Sequence, residues 1–275
     1  MAFGRIAEER GVLRISGAGT AEFLDGLVSA NVEKPAQDGG AYAALLTPQG
    51  KYLADFLLHV SADEALIDVA MEQVKPLAQR LAMYRLRRKL EIAASGLTAL
   101  QIWGEGAEEA AAKAAGADGV VIADPRDPAL GFRVFAADGP AALAASGAQA
   151  AARADWDALR VAHMIPEAGT ELGPDSYILE YGFERLHGVD FRKGCYVGQE
   201  IVARMKHKTE LRKGLVQVEI DGEAPAPGTE IVNEGGKPAG VLGTVSGGVA
   251  LAHLRFDRAG GEMKAGGATV RRPAG

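Results

Sequence analysis

The sequence predicts an α+β fold that ends in a small β-barrel. Strands and amphipathic helices alternate along most of the chain without a regular βαβ repeat, which favours α+β over a doubly wound sheet. The C-terminal part carries only short strand patterns between glycine-rich turns, which is typical of a small barrel. The length of 275 residues indicates two domains, and we expect residues 1–209, with two interleaved subdomains, and the barrel at 210–275.

The first elements follow from local patterns. Residues 12–15 predict a strand, and Thr20 offers an N-cap oxygen to a helix whose apolar residues recur at helical spacing over 23–28. Residues 42–47 and 52–60 flank a Pro-Gln-Gly-Lys turn, so they predict a hairpin.

Further strands and helices are predicted as far as residue 164. The strands are 65–70, 90–92, 97–103, 120–123 and 132–135, and the helices are 77–86, 107–117, 139–152 and 155–164. These helices are indicated by apolar spacing or by alanine-rich composition, and Asp155 is a candidate cap for the last of them.

The residue pattern of the chain changes after Lys213, where strand patterns follow. Val216, Val218 and Ile220 alternate with polar residues, which indicates a half-buried strand. Further short strands are predicted at 231–232, 241–245, 249–254 and 269–270. These patterns predict the C-terminal barrel.

Composition excludes several classes of protein. Hydrophobic residues make up 48 % and charged residues 24 %, close to globular averages. The single cysteine, Cys195, excludes a disulfide within the chain, and the five histidines show no metal-ligand spacing, so we expect no resident metal. We see no targeting signal and no apolar run of membrane-spanning length. We therefore expect a soluble, cytoplasmic monomer.

Charge is concentrated in two basic windows. Residues 75–90 carry +6, residues 185–213 carry +5, and the rest of the chain carries −17, for a net charge of −6. Such a distribution indicates an anionic ligand at a defined place, although solvated helix faces would give the same pattern.

The most unusual segment is 191–200, in which Cys195 follows two cations and lies between Gly194 and Gly198. Residues 199–205 are predicted to be helical, and both nearby cations and a helix N-terminus favour a thiolate. An inert, buried cysteine is the alternative. Because an iron–sulfur cluster normally takes four ligands, any cluster bound here needs ligands from a second molecule.

The residues Lys193 to Glu200, Lys-Gly-Cys-Tyr-Val-Gly-Gln-Glu, closely resemble the signature of the YgfZ family of folate-binding proteins, in which a basic helix follows. Residues 23–32 and 44–51 also fit that family, and the β-rich tail fits its C-terminal barrel. The same superfamily includes the aminomethyltransferase (T-protein) of the glycine cleavage system. The chain looks closest to bacterial relatives of the mitochondrial iron–sulfur assembly factor.

The resemblance implies a T-protein-like fold with a tetrahydrofolate cleft, and a role in assembling or repairing iron–sulfur clusters, especially [4Fe–4S]. Through such clusters it implies an indirect effect on tRNA modification. The implied partners are iron–sulfur assembly proteins or [4Fe–4S] client proteins, without direct contact with nucleic acid or membrane. The implied catalytic residues are Cys195 and Lys193, and the implied folate-binding residues are Asn31, Asp55, Tyr84, Arg85, Glu180, Gln199 and Glu200.

Two other functions stay open, and whether the protein is an enzyme stays open with them. An aminomethyltransferase of the T-protein type is disfavoured because T-proteins carry two adjacent carboxylates where this chain has Ala54-Asp55. They also carry a pterin-holding glutamate after Leu-Arg-Leu, where this chain has Ala162-His163. An RNA-binding module would use the basic windows, but these offer few aromatics for base stacking beyond Tyr84 and Tyr196.

Overall fold

The computed structural model describes residues 1–33, 40–208 and 210–273. The chain divides into two compact units. One comprises Met1–Gln49, Leu53–Ala152 and Glu184–Gln199, and the other comprises Gly50–Tyr52, Arg153–Phe183 and Glu200–Gly275. The predicted boundary falls at Thr209, which lies outside the described residues, so the division into 1–209 and 210–275 stays a prediction.

The described residues among the first 152 form two five-stranded sheets. Their strands are β1 (Ala2–Ile6), β2 (Arg10–Ser16), β3 (Gly40–Leu46), β4 (Tyr52–Val60), β5 (Glu64–Ala70), β6 (Glu91–Ala94), β7 (Thr98–Gly104), β8 (Val120–Ala123), β9 (Phe132–Ala136) and β10 (Gln149–Ala150). One sheet has the order β10-β1-β7-β9-β8, and the other has the order β3-β4-β5-β2-β6. The predicted hairpin is the pair β3–β4, and Gly50 takes the positive φ that its turn requires.

Among the described residues of this part, four α-helices cover these sheets: α1 (Thr20–Asp25), α2 (Val74–Arg85), α3 (Ala107–Ala115) and α4 (Gly139–Ser146). In α2 the buried Leu77 and Leu81 lie one turn apart and join the core of the β3–β4–β5–β2–β6 sheet. In α3 the alanines at 107, 110, 111 and 114 share one buried face, because positions i, i+3, i+4 and i+7 align along a helix. The small side chains let α3 pack closely on the other sheet.

Two local predictions in this part are wrong. Thr20 does not cap α1: the N-cap is Gly19, with φ of 80°, and the Thr20 hydroxyl donates to the Gly17 carbonyl at 2.8 Å. The helix predicted over 139–152 ends at Ser146, because Gly147 takes a left-handed conformation that stops it. The residues that follow form β10, which pairs in parallel with β1.

The second unit contains a closed barrel. Its elements are α5 (Arg153–Ala162), most of α6 (Gln199–Lys208), β11 (Lys213–Asp221), β12 (Glu230–Asn233), β13 (Pro238–Ser246), β14 (Val249–Arg255), β15 (Met263–Ala265) and β16 (Ala268–Arg271). The barrel closes in the order β11-β14-β13-β12-β15-β16, which confirms the predicted C-terminal barrel. Helix α5 begins at Arg153, so Asp155 lies inside its first turn and is not its cap. No helix in the described part of the chain has both the length and the apolar character needed to span a membrane.

Candidate functional site

The loop that carries Cys195 is clamped by the lysine of its own motif. The side chain of Lys193 is only 1 % exposed, and its ammonium donates to the carbonyls of Asp25, Val28 and Ala30 at 2.6, 2.9 and 2.7 Å. The Asp25 carboxylate lies 3.0 Å from the same nitrogen. Burial lowers the pKa of Lys193, and Asp25 opposes this shift. All three ammonium hydrogens are thus used, which favours a positioning role for Lys193 over the predicted catalytic one.

A buried serine joins the same loop to the sheet. Ser29 donates through its hydroxyl to the Gly188 carbonyl at 2.5 Å and accepts from the Ala44 amide of β3 at 2.8 Å. Its own carbonyl accepts from the Asp190 amide at 3.0 Å. The hydroxyl and the carbonyl of Ser29 therefore hold the segment before the motif through backbone groups of Gly188 and Asp190.

Cys195 is displayed between two buried anchors. Lys193 on one side and Tyr196 on the other are buried, whereas Gly194 and Cys195 are exposed and the thiol is free. The Lys193 ammonium lies 5.4 Å from the centre of the Tyr196 ring. Burial raises the pKa of Tyr196 to about 12, and the charge of Asp190 adds to the shift. The exposure of Cys195 contradicts the alternative of an inert, buried cysteine.

A cavity of about 690 Å³ lies beside this loop. Its wall includes main-chain or side-chain atoms of Ala30, Asn31, Gly40, Ala41, Tyr42, Pro125, Glu184, His187, Val189, Asp190, Phe191 and Arg192. The volume is in the range of small-molecule sites, and the wall mixes aromatic surface with carboxylate, amide and guanidinium groups. The structure thus places the predicted Asn31 at a cavity whose wall continues into the Cys195 loop.

Asp55 lies behind the cavity wall and does not line it. Its carboxylate is buried and accepts from the hydroxyl of Tyr42, a wall residue, at 3.0 Å. The guanidinium of Arg126 lies 5.3 Å from the centre of the Tyr42 ring and pairs with the buried Asp124 at 2.6 Å. Asp55 therefore supports the wall through Tyr42, which differs from its predicted contact with folate.

Tyr84 and Arg85 line a different cavity, formed by residues 84–88 at the end of α2. The Arg85 guanidinium donates to the Leu90 carbonyl at 2.7 Å. The structure therefore does not bring these two residues to the cavity that Asn31 lines, contrary to the prediction.

The other predicted residues also have local partners. The Glu180 carboxylate lies in the second unit, 3.1 Å from His253, whose ring stacks on Tyr181. Gln199 begins α6, and Glu200 is exposed and pairs with Arg204 one turn along that helix. The predicted helix at 199–205 is thus confirmed, with Cys195 four residues before its first residue.

Sequence reasoning missed four polar residues of the cavity wall: Glu184, His187, Asp190 and Arg192. His187 has φ of 57°, which is uncommon outside glycine and often marks functional positions. A signal was present in the sequence, because Asp190 and Arg192 directly precede the motif. Within the motif the resemblance implies ligand contacts for Gln199 and Glu200, and it implies none for the residues that precede Lys193.

No group of three or more His, Cys, Asp or Glu side chains within residues 1–33, 40–208 and 210–273 is placed to hold a metal ion. A cluster held at Cys195 by the described residues would therefore lack at least two of its usual four ligands.

Known proteins resemble this chain in sequence and in structure. Residues 212–273 match the family model of the CAF17 C-terminal β-barrel domain. The aminomethyltransferase T of the glycine cleavage system from Bartonella henselae superposes with a TM-score of 0.79 at 16 % identity, over 98 % of this chain and 84 % of that one. This superposition confirms the predicted T-protein-like fold.

Curated relatives identify the family. The "Iron-sulfur cluster assembly factor IBA57, mitochondrial" of Mus musculus and that of Homo sapiens are each 30 % identical to this chain, over 92 % of this chain and 78 % of theirs. The homologue from Coccidioides immitis is 31 % identical over 79 % of this chain and 57 % of its own length. At this identity and coverage, the chain belongs to the family of the iron–sulfur cluster assembly factor IBA57.

Proposed function

We propose that this protein is a tetrahydrofolate-binding factor for the assembly or repair of iron–sulfur clusters, especially [4Fe–4S] clusters. The observation that carries the proposal is the display of Cys195 on a loop whose preceding residues line the cavity. In the proposed step the Cys195 thiol loses its proton to solvent and binds iron of a cluster whose other ligands belong to a partner protein. Such partners are iron–sulfur assembly proteins or [4Fe–4S] client proteins. The protein then affects tRNA modification indirectly, through those client proteins that modify tRNA.

We further propose the bacterial, YgfZ-type branch of the family, acting as a monomer in the cytoplasm. The Lys193–Glu200 motif supports this branch.

The cavity wall offers groups that suit folate. A pterin presents adjacent donors that a carboxylate accepts in a bidentate manner, and Glu184 and Asp190 supply carboxylates. Phe191 and Val189 supply apolar surface for a flat ring, and Arg192 supplies a cation for the glutamate tail. The donor set therefore fits tetrahydrofolate, and the residues that would hold it are these five together with Asn31.

The role of the thiol is tested by Cys195→Ser in cells. We expect the variant to keep its melting temperature and to lower the activity of [4Fe–4S] enzymes, because serine keeps the shape but is a poor ligand for iron. Ala62→Ser, which also introduces a hydroxyl at an exposed position, is the matched control. Normal [4Fe–4S] enzyme activity in Cys195→Ser would reject the role proposed for the thiol.

The folate site is tested by titrating tetrahydrofolate against the purified protein in a calorimeter. We expect Asn31→Ala and Arg192→Ala to weaken binding about tenfold each, because each loses a polar contact to the ligand. Lys264→Ala, an exposed residue on β15 of the barrel, is the matched control. Unchanged affinity in both cavity variants would move folate away from this cavity. Formation of methylenetetrahydrofolate with an aminomethylated lipoyl carrier would instead establish the aminomethyltransferase.

A further inference from the structure

The segment Met83–Lys89, here called the basic tip, ends α2 with a strained turn. The Arg88 amide donates to the Arg85 carbonyl at 2.9 Å, which closes a four-residue turn. Its second residue, Leu86, has φ of 50° and ψ of −114°. These are the angles of the position that a type II′ turn normally gives to glycine. The Cβ of a leucine is strained there, and glycine would avoid that strain.

The side chain held in this strained turn points into solvent. Leu86 is 85 % exposed and the nearby Met83 is 61 % exposed. Burial therefore does not explain why a leucine stands where glycine would relieve the backbone. Contact between the Leu86 side chain and another molecule would explain a strained, exposed apolar residue at this position.

The charged residues around Leu86 indicate which kind of molecule would contact it. Arg87 and Lys89 are both exposed, and in the part of the chain that the structure describes neither has a carboxylate partner. They belong to the 75–90 window, which carries +6 in a chain of net charge −6. An apolar centre with a charged rim is the usual plan of a protein interface, and a cationic rim complements an acidic partner.

The basic tip lies close to the Cys195 loop. At one end of α1, Glu22 pairs with Arg88 of the tip at 3.0 Å. At its other end, Asp25 pairs with Lys193 of the motif at 3.0 Å. Glu22 and Asp25 are three residues apart on α1, which corresponds to about 4.5 Å along the helix axis. A typical protein partner covers about 800 Å² of a surface, which is enough to include both features.

We propose that the basic tip is a docking surface for an acidic face of a partner protein, with Leu86 in a shallow apolar pocket of that face. Docking there would orient the partner's cluster ligands toward Cys195, so this inference rests on the function proposed above. RNA is disfavoured because Tyr84 is half-buried and the described tip offers no other aromatic residue for base stacking. A membrane is disfavoured because two exposed apolar side chains bury too little area.

The test uses a labelled amphipathic peptide of Glu, Ala and Leu, and its counterpart with Lys in place of Glu. We expect fluorescence anisotropy to show binding of the acidic peptide alone. Arg87→Glu with Lys89→Glu should weaken this binding about tenfold, and raised salt should weaken it further. Leu86→Gly should also weaken binding without lowering the melting temperature, because glycine suits the turn. Lys237→Glu with Lys264→Glu, two exposed positions on the barrel, changes the net charge by the same amount and should bind like wild type.

Several results would overturn the docking surface. These are equal binding of the acidic and basic peptides, unchanged affinity in the tip variants, and a melting temperature that falls in Leu86→Gly. Tighter binding of a single-stranded RNA oligonucleotide, or of vesicles of anionic phospholipid, would make the tip a nucleic-acid or membrane surface and reject the protein partner.

A second measurement separates this inference from the proposed function. Cys195→Ser should bind the acidic peptide like wild type while it lowers [4Fe–4S] enzyme activity in cells, and the tip variants should lower both. If Cys195→Ser leaves enzyme activity normal but the tip variants still lose the peptide, the proposed function fails and the docking surface stands. If Cys195→Ser lowers activity and the tip variants behave like wild type, the docking surface fails alone.

Discussion

Lys193 and Tyr196 hold the loop of Cys195 by different means. Lys193 uses its charge, because its ammonium meets three carbonyls and one carboxylate at the end of α1. Tyr196 uses burial, which places its ring in the interior and leaves the two residues between the anchors in solvent. At the scale of residues, the exposure of the thiol is thus a consequence of its neighbours.

Replacing Lys193 with methionine tests the clamp. Methionine keeps the length of the side chain but removes the ammonium donor from the three carbonyls and from Asp25, whose carboxylate still accepts from the Val32 amide. We expect the free energy of unfolding, measured in urea, to fall by about 3 kcal/mol. The adjacent cation, Arg192, is exposed, so Arg192→Met should change it by less than about 0.5 kcal/mol. Equal losses in the two variants would contradict the clamp.

Tyr196 predicts how stability depends on alkaline pH. Its pKa in the folded protein is about 12, above the ordinary value near 10. Below pH 10 both states keep the proton, so the contribution of Tyr196 to stability is complete. Between pH 10 and 12 only the unfolded state loses the proton, so stability falls as pH rises. We expect Tyr196→Phe to reduce this loss in urea unfolding from pH 8 to 12, and identical pH profiles would contradict the assignment.

Helix α5 shows how one buried charge joins elements. Arg160 donates to the Thr244 hydroxyl of β13 and to the Ile165 carbonyl, both at 2.9 Å. Glu171 accepts from the amide and the hydroxyl of Thr244, both at 2.7 Å, and its side chain is 1 % exposed. The arginine and the glutamate thus attach α5 and the segment after it to the barrel.

Removing that arginine should destabilise the barrel unit. Arg160→Met leaves Glu171 buried with a missing cation, and we expect the free energy of unfolding to fall by about 3–5 kcal/mol. Arg153→Met is the matched control, because Arg153 lies in the same helix and pairs with Asp157 and Glu167 nearer to solvent. We expect it to cost less than about 1 kcal/mol. A comparable loss in both variants would show that burial of the charge is unimportant.

At the scale of the whole molecule, we expect the binding of tetrahydrofolate to be independent of the Cys195 thiol. Tetrahydrofolate at a hundred times its dissociation constant should stabilise the folded state by about 2.7 kcal/mol and raise the melting temperature accordingly. We expect Cys195→Ser to show the same shift and Asn31→Ala to show a smaller one at equal ligand concentration. Scanning calorimetry provides the measurement. Loss of the shift in Cys195→Ser would place the thiol within the ligand site.

For the whole molecule, the role of a cation depends on whether it is buried or exposed. The cations of the two basic windows that the sequence indicated differ in exposure. In 185–213 Lys193 is buried in an internal clamp while Arg192 is exposed, and in 75–90 Arg87 and Lys89 are exposed. Charge counts alone could not separate these cases, because a cation that holds a loop and a cation that meets a partner add equally to the total.

The sequence by itself determined the local elements and the motif. The alternation at 216–220 predicted a barrel strand, and the apolar spacing of Leu77 and Leu81 predicted α2, because these patterns depend on near neighbours. It did less well with short or weakly patterned pieces. It did not predict β1, β10 or β15, because short or weakly patterned strands owe their form to the strands beside them.

Only the tertiary structure decided which residues meet. It brought Asn31 to the cavity beside the motif, buried Asp55 behind Tyr42, and left Tyr84 at a different cavity. It also placed the Lys193 ammonium against three backbone carbonyls, which favours a positioning role for this residue. These outcomes depend on contacts between positions up to 168 residues apart, for which a single sequence carries no local signal. The motif therefore identified candidate residues, and the packing of the folded chain decided which of them are buried, which are exposed and which line the cavity.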